Sequence, residues 1–139
     1  MYTTQQVKCG TFEWSTASSG GVPELYEMVY IGENARTAVV FDGDSSTAWA
    51  DGIVMSELDS AGRQVIGLIA GGGIGLVKLG ATVTAGQVLA DNGSGKADGG
   101  SGIASLSIGR MGFGIALAGG GDNDVIPFIM QPVGGPHTA

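Results

Sequence analysis

Short apolar runs of four to eight residues alternate with breaks rich in glycine, asparagine and aspartate along residues 64–130. None of these runs is long enough to favour a helix over a strand. The pattern predicts strands at residues 37–41, 64–70, 74–79, 87–90, 108–117 and 125–130, with a further apolar segment at 49–58. The chain is therefore predicted to be all-β, a small glycine-rich β-barrel or sandwich.

The strand predicted at residues 108–117 has two unlike faces. Alternation places Phe113 and Ile115 on one side and Gly112 and Gly114 on the other, which makes the second face nearly smooth. Such a face lets another backbone, or the side chains of a partner, approach closely. The last predicted strand contains Pro127, which cannot donate to a ladder, so this strand is expected at a sheet edge.

Residues 1–22 are polar with isolated aromatic rings, and they end in a serine- and glycine-rich cluster. A segment of this kind cannot build a core of its own, so it is predicted to be an extended N-terminal arm that reaches a neighbouring subunit. The alternative is a frayed terminus with one or two rings docked on its own domain. Residues 23–139 are predicted to form a single β-domain. Within it, residues 23–31 mix helix and strand signals, with a strand favoured over the second half.

Composition narrows the function classes. The chain has 139 residues, 27 of them glycine, and a net charge of -7 with six scattered cations. A phosphate-binding surface needs clustered lysine and arginine, so no nucleic-acid partner is expected. The N-terminal residues lack the basic start and apolar core of a signal peptide, and no apolar run reaches the length that spans a bilayer. A soluble protein made in the cytoplasm, without a membrane partner, is expected.

Candidate chemistry is weak throughout. Cysteine and histidine each occur once, as Cys9 and His137, so no intrachain disulfide can form and a zinc site would have to include carboxylates. The segment around Lys96 resembles a phosphate-binding loop but has Ala90 and Ala97 where that motif requires glycine and Ser or Thr. An aspartate-rich segment at 42–53 has Thr47 where a calcium loop requires glycine. We predict no enzyme activity, no catalytic residue, no metal and no cofactor.

Two segments carry a family resemblance. The first is GATVTAGQVLADNGSGKA, and the second is IGRMGFGIALAGGGDNDVIPFIM. Together they resemble the C-terminal half of the capsid cement, or head decoration, proteins of tailed bacteriophages. The matching positions are Gly80, Val83, Ala85, Gly86, Leu89, Asp91, Gly95, Ala97, Gly114, Ala116, Leu117, Ala118, Gly121, Asp122 and Val125.

The resemblance implies a β-rich virion protein, commonly a homotrimer, without enzyme activity. It implies a location on the exterior of the head between capsomers, with the major capsid protein as partner. Protein interfaces are enriched in aromatic residues at their centres, and a smooth strand face favours close approach. The candidate oligomer or capsid contacts are Phe12, Trp14, Tyr26, Tyr30, Trp49, Gly112 and Gly114. An ordinary place in the core is the alternative for each ring.

The sequence also fits two alternative functions. The step from Gly80 to Leu89 also resembles lipoyl and biotinyl carrier domains, in which Lys96 would be the modified lysine. The residues before Lys96 are turn-forming, however, and Gly95 stands where a carrier domain has methionine or aspartate. The other possibility is a different virion structural protein, such as a tail component, a fibre base or a minor capsid protein.

Overall fold

The computed structural model describes residues 9–14, 23–31, 37–40, 51–57, 59–60, 62–91, 95–99 and 111–134. These residues form ten β-strands and one turn of 3₁₀ helix at Ile69–Gly71, without an α-helix. The prediction of an all-β chain is confirmed. The strand favoured in the second half of residues 23–31 is also confirmed, since β2 begins at Met28.

The first sheet contains β1 (Cys9–Trp14), β2 (Met28–Ile31), β3 (Thr37–Val40), β4 (Gly52–Val54) and β5 (Arg63–Leu68). Its hydrogen-bonded order is β1-β3-β2-β4-β5, and β5 pairs back with β1 to close the ring. The β1–β3 pair is parallel and the other pairs are antiparallel. Among the described residues, each strand of this sheet pairs with two neighbours.

The second sheet contains β6 (Ile74–Lys78), β7 (Val88–Asp91), β8 (Ala97–Gly99), β9 (Met111–Ala116) and β10 (Val125–Gly134). Its order is β6-β10-β9-β7-β8, with every pair antiparallel. The two outer strands of this order, β6 and β8, also meet, since Leu79, the residue after β6, forms a parallel bridge with Ala97 at the start of β8. The N–H of Gly80 also donates to the carbonyl of Ala97 at 2.7 Å.

The two sheets share one hydrophobic core. Met28, Ile53 and Ile69 from the first sheet and the turn after it lie in the same buried cluster as Val77, Phe113 and Phe128 from the second. The rings of Phe113 and Phe128 meet edge to face, with centroids 5.5 Å apart. Alternation sends Val29, next to Met28, to a smaller cluster with Val54 and Ile66. Both faces of β2 are therefore apolar where the structure describes them.

Part of the predicted arm is a strand. Residues 9–14 lie within the predicted segment 1–22, and they form β1 between β3 and β5. The sequence CGTFEW carries threonine and two aromatic residues, which fit a pleated surface. The remaining residues of the segment lie outside the described ones, and the division into arm and domain stays a prediction.

The expected edge position of Pro127 is wrong, because β10 lies between β6 and β9. Even-numbered residues of β10 bond towards β6, as when the N–H of Met130 donates to the carbonyl of Gly73 at 2.9 Å. Pro127 faces the other way, opposite Leu117, whose N–H donates to the Pro127 carbonyl at 3.0 Å. Leu117 follows the last residue of β9. The N–H that proline lacks would therefore point beyond the last residue of β9. For this reason an interior strand can contain Pro127.

Candidate functional site

Three turns of the same design each lead directly into a strand. They are residues 24–27 before β2, 84–87 before β7 and 121–124 before β10. In each turn the N–H of the fourth residue donates to the carbonyl of the first, at 3.1, 3.3 and 3.1 Å. The side chain of the fourth residue accepts a hydrogen bond from the N–H of the first. The acceptors are Glu27 Oε1 at 2.6 Å, Gln87 Oε1 at 2.8 Å and Asp124 Oδ2 at 2.8 Å.

The third residue of each turn has a positive φ. The angles are 67° at Tyr26, 88° at Gly86 and 67° at Asn123. This is the conformation of the third position of a type II turn, which favours glycine or asparagine. Tyr26 is the exception, because a bulky side chain is rarely found in the left-handed region.

The three turns meet around the C-terminal end of β6, and we call residues 24–27, 84–87 and 121–124 the turn cluster. The N–H of Lys78 donates to the carbonyl of Tyr26 at 3.0 Å, and that of Leu79 donates to the carbonyl of Asp124 at 2.8 Å. The turn at 84–87 joins through Val83, which exchanges two backbone hydrogen bonds with Gly120 at 2.9 and 3.0 Å. Loops from distant parts of the chain therefore form one surface.

The turn at 24–27 also fastens the two sheets together. The N–H of Tyr26 donates to the carbonyl of Val54 at 2.8 Å, and the N–H of Val54 donates to the carbonyl of Glu27 at 2.9 Å. On the other side, the N–H of Met28 donates to the carbonyl of Gly95 at 2.7 Å. The buried amide of Gln64 donates to the carbonyl of Pro23 at 3.0 Å. These bonds fix the turn at 24–27 to both sheets.

The surface of the turn cluster is charged. Lys78 Nζ donates to Glu24 Oε2 at 2.7 Å, with the Glu24 side chain 68% exposed and the Lys78 side chain 20% exposed. This hydrogen bond, followed by the charge of Lys78, lowers the pKa of Glu24 below its ordinary value, and the charge of Lys96 lowers it further. Lys96 Nζ donates to Asn123 Oδ1 at 2.8 Å. Lys96 therefore relates the two turns, through its hydrogen bond to Asn123 and the effect of its charge on Glu24.

Among the described residues, no group of three or more His, Cys, Asp or Glu side chains could hold a metal ion. Within the same residues, no helix is long and apolar enough to cross a membrane. What the turn cluster presents is a rigid rim of exposed carboxylates, lysines and one half-buried tyrosine.

The contact residues that were predicted from the sequence lie on different elements of the structure. Tyr26 lies in the turn cluster, whereas Phe12 and Trp14 lie on β1 and Tyr30 lies on β2 opposite Val39. Trp49 lies outside the described residues. Gly112 and Gly114 lie on β9 and are buried. The contact role of all seven residues stays a prediction.

A nearby backbone of the same chain accounts for the glycine at position 114. A Cβ atom there would meet the carbonyl oxygen of Ile129 and the ring of Phe128. The expected close approach therefore exists, and its partner in this structure is β10.

Sequence reasoning missed the side chains that close the three turns, namely Glu27, Gln87 and Asp124. A signal for them is present as YEMV, GQVL and NDVI. In each of these segments, a residue with positive φ precedes a side chain with an acceptor oxygen and then an apolar strand. The pattern is too short to stand out once, but it occurs three times.

Comparisons with known proteins show which solved structure this fold is similar to. No family model matches the sequence, and no curated protein matches it. The fold belongs to the class of all-β domains with two sheets on a shared core. A particular solved structure with a similar fold is that of the head fiber gp8.5 N base of bacteriophage phi29, with a TM-score of 0.60. The similarity covers 90% of this chain and 94% of that one, at 12% sequence identity, and shows the fold alone.

Proposed function

We propose that the chain is a structural protein of a bacteriophage particle and that it attaches to the outside of the head. The observation that carries the proposal is the fold similarity to a head fiber base over nearly the whole length of both chains. The resemblance of residues 80–97 and 108–130 to head decoration proteins supports it independently.

In its finer form, the proposal is a decoration protein that binds between capsomers and stabilises the shell. A protein that binds only the assembled lattice lowers the free energy of that lattice relative to its disassembled subunits. A homotrimer would place several turn clusters on the major capsid protein at once, and multivalency would slow dissociation. The rigid mounting of the turn cluster on two sheets suits this role, because little conformational entropy is lost on docking.

Sedimentation of purified chain with heads that lack it tests attachment. We expect the chain to pellet with the heads in a saturable manner, and we expect decorated heads to release DNA at a higher temperature than bare heads. Chain that stays in the supernatant at every concentration would contradict the proposal.

A second candidate, the base of a head fibre, is favoured by the name of the similar structure. The two candidates differ in copy number. A decoration protein should approach the number of capsid subunits per particle, whereas a fibre base should be present at far fewer copies. Quantitative mass spectrometry of purified particles distinguishes them.

The carrier-domain alternative depends on Lys96. That side chain is half-buried and donates to Asn123 across the turn cluster, which ties it to the protein surface. A swinging prosthetic arm requires a lysine that extends freely into solvent. The intact mass of the protein from its native source decides, since a lipoyl or biotinyl adduct would support the carrier and an unmodified mass would support the head protein.

A further inference from the structure

Two stretches of the second sheet are built alike. Residues 74–91, the first unit, run from β6 through a turn into β7, and residues 111–128, the second unit, run from β9 through a turn into β10. Equivalent positions of the two units are 37 residues apart, as Gly86 and Asn123 are. Both of these residues have a positive φ, at 88° and 67°. The two units therefore share one backbone design.

The units pair with each other about an approximate two-fold axis. The first strand of each unit is antiparallel to the second strand of the other, so that β6 pairs with β10 and β9 pairs with β7. Val83 and Gly120 are equivalent positions and bridge to each other, so the axis passes between them. Packing is close there, because a Cβ atom at Gly120 would lie 3.1 Å from side-chain atoms of Leu79, Asp124 and Ile126.

The correspondence ends at the other side of the sheet. In the second unit β9 also pairs directly with β10. In the first unit β8 lies between β7 and the end of β6, since it pairs with β7 and its first residue bridges to Leu79. The two-fold relation is therefore a property of the turns and of the strand ends next to them.

Each turn holds the end of the first strand of the other unit through two hydrogen bonds. We call these four bonds the reciprocal clasp. The donors are backbone N–H groups, the acceptors are backbone carbonyls, and the bonds run from Asn123 to Leu79 (2.8 Å), from Leu79 to Asp124 (2.8 Å), from Gly86 to Ala116 (2.7 Å) and from Ala116 to Gln87 (2.9 Å).

This geometry makes the two turns depend on each other. Opening the turn at 84–87 releases Ala116, and the chain runs from Ala116 directly into the turn at 121–124. Opening the turn at 121–124 likewise releases Leu79, from which the chain runs into the turn at 84–87. Leu79, Val83 and Ala116 are also buried in one hydrophobic cluster, so opening either turn exposes apolar surface that both units cover.

We propose that the reciprocal clasp is a conformational device that opens and closes in one cooperative step, in which both turns are released together. Proteins open locally in cooperative units of this kind, at a lower free energy than global unfolding. The clasp opens while the first sheet and the turn at 24–27 stay folded. This inference concerns the chain itself, whether or not it binds a head, and therefore goes beyond the proposed function.

Native-state hydrogen exchange of the whole chain tests the proposal, with the four N–H groups of the clasp as reporters. In the wild type, all four should exchange with the same protection factor. Gln87→Ala removes the side-chain acceptor that closes one turn only. It should nevertheless speed exchange at all four groups by the same factor, roughly 2- to 10-fold. Asp124→Ala is the equivalent change in the second unit and should give the same result.

Glu27→Ala is the matched control, because Glu27 closes the third turn of this type, which lies outside both units. It should speed exchange at the N–H of Tyr26 and leave the four clasp groups unchanged. Exchange in Gln87→Ala that is faster at Gly86 and Ala116 alone would overturn the proposal, since the two turns would then open independently. Equal acceleration of Tyr26 and the clasp groups by Glu27→Ala would also overturn it, because the clasp would then open only with the whole fold.

Discussion

Gly114 shows how closely two strands of this chain approach each other. Its position on β9 leaves no room for a Cβ atom, because the Ile129 carbonyl and the Phe128 ring of β10 occupy that space. We expect Gly114→Ala to lower the free energy of unfolding by about 1–3 kcal/mol, the usual cost of an overpacked core. Gly121→Ala is the matched control, since a Cβ atom there meets only Asp124 Oδ2 at 3.8 Å. Equal stability of the two variants in urea would contradict the close approach.

Glu24 provides a pH-dependent contribution to stability. Its pKa lies below the ordinary value of 4.5, because Lys78 donates a hydrogen bond to the carboxylate and attracts its charge. A carboxylate with a lowered folded-state pKa stabilises the fold above the unfolded pKa, and this stabilisation is lost as the pH falls through the folded pKa. We expect Glu24→Gln to have a slightly lower Tm than the wild type at neutral pH. The difference should vanish as the pH falls below 4.5 and through the lowered folded-state value.

The control for Glu24→Gln is Glu57→Gln, at an exposed carboxylate between β4 and β5. Added salt should also reduce the Glu24 effect, because the Glu24 side chain is solvent-exposed. A Tm difference for Glu24→Gln that persists at the lowest pH would show that the ion pair is not its cause.

Single residues were partly predictable. The smooth glycine face of β9 follows from alternation, and its need for close approach is confirmed at Gly114. The partner of that face could not be predicted, because nothing near Gly114 in the sequence indicates β10. Tyr26 was a candidate contact from its residue type alone. Its strain became visible only when the structure aligned it with Gly86 and Asn123.

At the level of elements, the chain repeats one type of hydrogen-bonded turn, and each copy leads directly into a strand. In the turns at 84–87 and 121–124, Gln87 and Asp124 each accept a hydrogen bond from the first N–H of the turn. We expect Gln87→Ala and Asp124→Ala each to lower the free energy of unfolding by about 0.5–1.5 kcal/mol, the usual net value of such a bond. Chemical denaturation measures the change.

Asp122→Ala is the matched control for these two variants, because Asp122 is exposed within the same turn as Asp124. We expect its effect to stay within about 0.5 kcal/mol, as for most surface substitutions. A cost at Asp122 as large as that at Asp124 would mean that charge, and not the hydrogen bond, stabilises the turn.

The positions of strands along the sequence were easier to predict than the strands with which they pair. β-branched residues indicated β3, and apolar runs ended by glycine indicated β5 and β6, which the structure contains. Whether a strand can lie inside a sheet depends on which of its backbone N–H groups must donate to a neighbouring strand. Pro127 was expected at an edge for this reason, and it lies inside the sheet because its missing donor falls beyond the end of β9.

At the level of the whole molecule, β1 closes the first sheet by pairing with both β5 and β3. Its pairing with β5 joins residues 50 or more positions apart, and no local pattern encodes such a contact. We expect deletion of residues 1–14 to lower the Tm strongly or to abolish cooperative unfolding, because the deletion opens the ring. Deletion of residues 1–8, which retains β1, should cost much less. Equal stability of the two truncated proteins would contradict the closed first sheet.

The central proposal is that this chain is a structural protein on the exterior of a phage head. Cryo-electron microscopy of heads assembled with and without the chain tests it most directly. We expect additional density on the outer surface of the shell between capsomers when the chain is present. Maps that are identical with and without the chain, or density for the chain inside the shell, would contradict it.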